Sequence, residues 1–470
     1  MNGDYQRFRV LWPLVPAMAM VMIDFTIVSI SASTIAGDLH LSETAVQWLV
    51  TAYALSTAAF VALGGKLGDI LGHRSTCIAG IVIFAGASLF CGLVPDGSIS
   101  TAWLIVFRLI QGVGAGLLIP SATVLVLDAF PSEERGKGLA VFFIVAGLFT
   151  AIGPIAGSYL TQYWTWRAIF WINVAVAAFA LIEFRFAKLP NVKRPAKLDV
   201  QGAVLLVIGM GLTVLGIQES TEWGWDSPAT IGSIVVGLLV LGAFVVYERR
   251  PDNTNPLIDV NALIANRPFA VDNLLTMLAF GPWLAVFFFG SLYFQVAVGQ
   301  EPTQAGFSIL TMFYTFFIAA RVGGGWMDKF GPKKPVVFGF LLGAIGMVVW
   351  GGELSEHSHG ATLAGMLLTG AGFGLIFSPL NTDALNRLPD SMRGQGSGVV
   401  QTFRNFGSAV GMAIMGSIVA GATDLTGPEG PGNFAAAMEK AWYVGAGMLA
   451  VGWIIANKFM PEGKQEGIED

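Results

Sequence analysis

Gly64-Gly65-Lys66-Leu67-Gly68-Asp69-Ile70-Leu71-Gly72-His73-Arg74 lies between two long apolar stretches, and an eroded copy follows as Gly324-Gly325-Trp326-Met327-Asp328-Lys329-Phe330-Gly331-Pro332-Lys333. In both copies a Gly precedes the Asp by four residues, a Gly follows it by three and a base by five. The two Asp residues are 259 positions apart. Gly112-x-Gly114-x-Gly116 pairs with Gly370-x-Gly372-x-Gly374, and Gly153 with Gly411, each at 258. A register held across three segments marks two related halves.

The chain has 470 residues, 54% apolar and 12% charged, with a mean hydropathy of +0.67. Soluble domains average roughly 25% charged residues. This is the composition of an integral membrane protein, and repeated halves in such a chain point to a transporter with its site between them. Apolar runs long enough to cross roughly 30 Å of hydrocarbon recur along nearly the whole length. Fourteen can be counted, from 10–34 to 437–459, the weakest being the short, Gly-broken 201–218.

Cytoplasmic loops collect Lys and Arg. With the N-terminus inside, Arg7, Arg9, Lys66, Arg74, Lys188, Arg194, Arg249, Lys329, Lys333, Lys334 and Lys464 share the cytoplasmic side, while Asp38, Asp96, Glu222, Asp226, Glu356 and Asp424 fall outside. An odd span count spoils that pattern, so both termini are expected in the cytoplasm. The repeat offset leaves two spans between the halves. The expected fold is all-α, with 1–190 as an N-terminal six-helix bundle, 191–265 as a linker with two additional transmembrane helices, and 266–470 as a C-terminal six-helix bundle. Cys77 and Cys91 fall in one span and imply no disulfide framework. The Gly-x-Gly-x-Gly strings lie inside membrane helices, where small residues permit close packing, so they are not read as a dinucleotide fingerprint. His40, His73, His357 and His359 form no metal set, and neither an enzyme nor a nucleic-acid binder is expected.

These residues resemble the major facilitator superfamily, and within it the fourteen-span drug:proton antiporter branch. The loop Gly64 to Arg74 is similar to the family's loop between spans 2 and 3. The resemblance implies a charge latch on the cytoplasmic side, holding the outward-facing state, with Gly65, Asp69, Gly72 and Arg74 in one copy and Asp328 and Lys333 in the other. Arg108-Leu109-Ile110-Gln111-Gly112 resembles the span-4 motif whose buried Arg takes part in proton transfer. Gly153-Pro154-Ile155-Ala156-Gly157 resembles the antiporter signature of span 5, with Ala156 in place of a usual Gly. Asp24-Phe25-Thr26-Ile27-Val28 resembles the acidic motif of span 1, and Trp166 to Val174 the start of span 6. The resemblance further implies no cofactor beyond a proton gradient, a monomer surrounded by membrane lipids, and a bacterial inner membrane.

A carboxylate at the centre of a bilayer costs about 2.5–3.5 kcal/mol on insertion scales, so Asp24 is a functional candidate by default. Its depth, about 21 Å from the inner end of span 1, matches that of Arg108, about 10 Å below the outer end of span 4. Hydrocarbon favours a neutral carboxyl and a nearby guanidinium favours a charged one, so an Arg that moves can switch such a site. Asp24 is therefore expected to bind the coupling proton, and a cationic cargo with it, with Arg108 acting through Gln111 or water. Asp383, four residues before Arg387, reads as a helix-end ion pair. The expected pocket lies where spans 1, 4, 9 and 12 face each other, with Trp283, Phe287 and Tyr293 as aromatic walls and Gln111, Asn273, Gln295 and Asn381 as polar contacts. The expected cargo is hydrophobic, aromatic or cationic. Export of an endogenous lipid or metabolite is the alternative, and a channel or receptor is the reading from another class.

Overall fold

The computed structural model describes residues 11–130, 135–187, 189, 191–193, 197–253, 255–388, 393–420 and 430–463. Arg7, Arg9, Lys188, Arg194, Asp424 and Lys464 lie outside them. Among the described residues the chain forms fourteen long helices: α1 Leu11–Leu39, α2 Glu43–Leu71, α3 His73–Gly92, α4 Ser100–Ala129, α5 Arg135–Tyr163, α6 Ala168–Phe186, α7 Val200–Gln218, α8 Pro228–Glu248, α9 Arg267–Val296, α10 Pro302–Phe330, α11 Lys333–Gly352, α12 His359–Asn386, α13 Arg393–Ala420 and α14 Gly430–Phe459. Among the described residues eleven of them, α1–α4 and α6–α12, are long and apolar enough to cross a membrane. The stretch expected to be weakest, 201–218, is α7, a full helix of 19 residues.

The helix starts have local causes. Ser42, Asp199, Ser227 and Asn266 each accept a hydrogen bond from a backbone N–H three residues on, which satisfies a donor the helix leaves open. Pro228 follows its cap directly, where its missing N–H costs nothing. Between α2 and α3 the chain turns at Gly72 with φ +92°, and between α10 and α11 at Gly331 with φ +83°. The motif and its copy thus make the same left-handed turn, which a side chain disfavours.

The other repeated glycines keep that correspondence in packing. A Cβ on Gly112 would meet Tyr53 O of α2 at 2.7 Å, and one on Gly116 would meet Phe60 of α2 at 2.8 Å. On Gly114 it would meet Phe84 N of α3 at 2.6 Å. In the second half a Cβ on Gly370 or Gly374 would run into Met312 O or Phe316 O of α10, and one on Gly372 into Gly343 of α11. Gly153 lies against Thr26 and Ile23 of α1, and its counterpart Gly411 against Gly281 of α9. Each string lets one helix approach two neighbours on alternate residues. Pro120 in α4 and Pro379 in α12, 259 positions apart, extend the match beyond the motifs.

The two bundles touch along two seams, α2 with α13 and α5 with α10, and more lightly through α1 with α9. The hydrogen bonds that tie them lie at the end carrying Asp38, Asp96 and Glu356, here called the acidic end. Ser33 Oγ donates to Gln295 Oε1 at 2.6 Å, and Gln295 Nε2 to Ile30 O at 3.0 Å. Gln162 Nε2 donates to Glu301 at 2.6 Å, its Oε1 accepts from Thr303, and Gln47 Nε2 donates to Gly416 O at 3.0 Å. At the basic end, which carries Lys66, Arg74, Lys329 and Lys333, the described polar contacts stay within each half or reach the linker.

The inserted pair is not peripheral. α8 packs on α7, and α7 packs on both α2 and α13, against one of the two seams. Gln218 Nε2 donates to Gln47 Oε1 at 2.8 Å, and Trp48 Nε1 to Glu219 Oε1 at 2.6 Å. At the basic end Asn253 Nδ2 joins Asp199 and Glu248, and Lys66 Nζ reaches Pro256 O at 3.5 Å.

Candidate functional site: a buried carboxylate network

Asp24 is fully buried, and Arg108 is 1% exposed. Their depths, read from sequence, coincide in space: Arg108 Nη1 lies 2.6 Å from Asp24 Oδ2. Gln111, one helical turn on from Arg108 and so on the same face, donates to Asp24 Oδ1 at 2.8 Å and accepts from Arg108 Nη1 at 2.7 Å. Asn173 of α6 donates to the same Oδ1 at 2.9 Å. Ser88 Oγ of α3 accepts from both amides, at 2.7 and 3.0 Å. Arg108 Nε donates to Leu49 O of α2 at 2.5 Å, and its guanidinium lies 4.6 Å from the Tyr53 ring centroid.

Five helices therefore converge on one ion pair. A buried pair survives desolvation only when its remaining donors and lone pairs are also satisfied. Here each carboxylate oxygen has a donor, and one of those donors is the cation Arg108. Gln111 and Asn173 hold one carboxylate oxygen independently of the Arg108 contact to the other. The network sits inside the first bundle and reaches α2, one of its seam helices, through Leu49 and Tyr53. Asn173 and Ser88 were not anticipated; the only signal was Asn173 as a polar residue inside an otherwise apolar span.

The two copies of the loop motif are placed alike but bonded differently. His73 Nε2 lies 3.3 Å from Asp69, and Arg74 Nη2 donates to Phe184 O of α6 at 3.2 Å. Asn191 caps the turn through Leu71 O and Ser75. In the second copy Asp328 is exposed, and Lys333 pairs with Glu462 at 3.2 Å. A Cβ on Gly65 would make ordinary contact with Pro120 at 3.8 Å. Gly153 and Gly157 let α5 approach α1, where a Cβ on Gly157 would meet Ile27 at 2.7 Å, while Pro154 O faces α10, 3.0 Å from where a Cβ on Gly306 would sit.

The residues expected to line one pocket do not converge. Gln111 belongs to the Asp24 network. Trp283 and Phe287 pack in an aromatic cluster inside the second bundle, Trp283 against Phe373 and Phe377 at 5.1 and 4.9 Å, Phe287 against Phe313 at 5.4 Å. Tyr293 is fully buried and donates to Leu354 O at 2.8 Å, which fastens α9 to the turn after α11. Gln295 ties the two bundles together. Asn273 donates to Phe269 O of its own helix at 2.7 Å, next to Asp272, which shares Arg387 with Asp383 at 3.4 and 2.9 Å. Asn381 is exposed near the basic end of α12. A cavity of about 590 Å³ lies at the α10–α11 turn beside Lys333 and Trp326, and one of about 420 Å³ lies beside the start of α7. Neither includes Asp24 or the aromatic cluster. Among the described residues no group of His, Cys, Asp and Glu has the arrangement of a metal site.

The family model described as Major Facilitator Superfamily matches residues 14–412. The chain is 32% identical to the tetracenomycin C resistance and export protein of Streptomyces glaucescens over 453 residues, covering 93% of this chain and 82% of that one. It is 28% identical to a multidrug resistance protein of Mycobacterium tuberculosis over 404 residues, covering 85% and 74%. In fold it superposes on a partially occluded inward-open structure of the xylose transporter from E. coli with a TM-score of 0.67, 14% identity, and 99% and 100% coverage. Helices in two repeated halves, a multi-pass membrane composition and these matches agree: the chain is a transporter, not an enzyme, and belongs to the Major Facilitator Superfamily.

Proposed function

We propose that the protein is a proton-coupled antiporter that exports hydrophobic small molecules by alternating access, with fourteen spans, two six-helix bundles and both termini in the cytoplasm. The basic end is then the cytoplasmic one, and the hydrogen bonds at the acidic end close the outer side. The related proteins named for drug resistance and export favour cargo of that kind.

The observation that carries the reading is the Asp24–Arg108 pair, 2.6 Å apart and buried, with Gln111 and Asn173 as further donors. In a state closed to the outside, a charged pair corresponds to a proton already released inward. A proton arriving from outside would neutralise Asp24 and release Arg108, whose other contacts are Leu49 O, Gln111 and the Tyr53 and Phe170 rings. Because Leu49 and Tyr53 belong to α2, a helix at the seam with α13, a shift of Arg108 reaches the surface on which the bundles rock.

The test is gradient-driven efflux of a lipophilic dye from vesicles, comparing the native chain with Asp24→Asn. Gradient-driven efflux should vanish while dye exchange without a gradient persists. Equal driven efflux by both chains removes Asp24 from coupling.

A further inference from the structure

Arg404 lies in α13, eleven residues from the helix start, or roughly 16 Å inward from the basic end. Its guanidinium lies over the ring of Phe280, 5.3 Å from the centroid, and Phe280 in turn stacks on Phe377 at 4.1 Å and 9°. Arg404 is partly exposed.

Its charge is not balanced. Arg108 has Asp24, and Arg387 has Asp272 and Asp383. Among the described residues Arg404 has no carboxylate within ion-pair distance. Asp24 is not a substitute, because Arg108, Gln111 and Asn173 already occupy its oxygens. A lone cation at this depth is costly and is kept where it faces a cleft or meets a ligand.

We infer that Arg404 is an anion-binding group of the transport cleft, and that the exported molecule carries a carboxylate, phenolate or similarly acidic group on an apolar body. A guanidinium attracted to a ring face still has its N–H fork to offer, a geometry that matches a carboxylate. Phe280, stacked on Phe377, is the positioning residue beside it. The partly buried rings of Phe377 and Phe316 flank the stack with apolar surface. This inference rests on the exporter reading and replaces the cationic cargo expected from Asp24 alone. Exchange of an anion leaving for a proton entering carries charge inward on both strokes, so an interior-negative potential assists each.

The test is equilibrium binding of 9-anthracenecarboxylate, 9-anthracenemethanol and 9-(aminomethyl)anthracene to the full-length protein in lipid nanodiscs at neutral pH. The native protein should bind the carboxylate at least about tenfold more tightly than the alcohol, with the ammonium weakest. Arg404→Gln should abolish the carboxylate preference and leave the alcohol's affinity unchanged, and Arg404→Lys should retain part of it. Equal binding of carboxylate and alcohol by the native protein, preference for the ammonium, binding of none of the three, or a preference that survives Arg404→Gln each overturns the inference. Should Arg404→Gln fail to fold, the native comparison and Arg404→Lys decide. Proton-driven dye efflux by the native chain, measured in parallel, separates this failure from failure of the exporter reading.

Discussion

Asn173 Nδ2 lies 2.9 Å from the same Asp24 oxygen that accepts from Gln111, so two amides from different helices share one side of the carboxylate while Arg108 holds the other oxygen. A hydrogen bond to a charged group contributes about 1.5–3 kcal/mol. Asn173→Ala should therefore weaken gradient-driven transport by roughly tenfold or more while leaving gradient-free exchange nearly intact. Reconstituted vesicles assayed in both modes would show this, and an equal drop in the two modes would make Asn173 merely structural.

Gly114 and Gly372 admit no side chain, whereas Gly211 of α7 and Gly242 of α8 have nothing within 4 Å of an added Cβ. Gly114→Ala and Gly372→Ala should each lower stability by about 1–3 kcal/mol, the usual cost of overpacking. Gly211→Ala and Gly242→Ala should be neutral or stabilise by up to about 1 kcal/mol. Thermal unfolding in one detergent compares all four directly.

Arg387 is shared by two buried carboxylates. Removing one partner of a buried pair costs about 3–5 kcal/mol, so Arg387→Ala should cause a large drop in melting temperature. Adding Asp272→Asn should recover part of it, because one of the orphaned charges is then gone. A double-mutant cycle reads the coupling, and strictly additive losses would contradict the shared contact.

Ser33 and Gln295 meet at the acidic end with 2.6 Å between their polar atoms. Ser33→Cys with Gln295→Cys, joined by a short cleavable crosslinker, should stop transport, and cleavage should restore it. Cys77 and Cys91 are fully buried and should not compete for reagent. Undiminished transport by the crosslinked protein would mean that this end need not open.

The correspondence of the halves was legible because close helix packing demands Gly at fixed positions, and Gly112, Gly114 and Gly116 do the same work as Gly370, Gly372 and Gly374. The meeting of Asp24 and Arg108 was legible because helix rise converts residue number into depth. Which face each helix turns inward was not. In α9 the bundle interior, the seam and the lipid all favour apolar side chains, so no polar stripe distinguishes Phe287, packed inside, from Phe280, which carries Arg404. The contacts of Tyr293 and Gln295 were hidden for the same reason: their partners, Leu354 O and Ser33, come from elements whose proximity only the fold reveals.

The contact of α7 with both α2 and α13 bears on how cargo reaches the cleft. Of the two sideways doorways between the bundles, one is shuttered by the inserted pair, and among the described residues no comparable packing covers the α5–α10 side. Molecules dissolved in the bilayer would then enter from a single flank. The added helices make the transporter one-sided towards its surroundings, although its two halves are built alike.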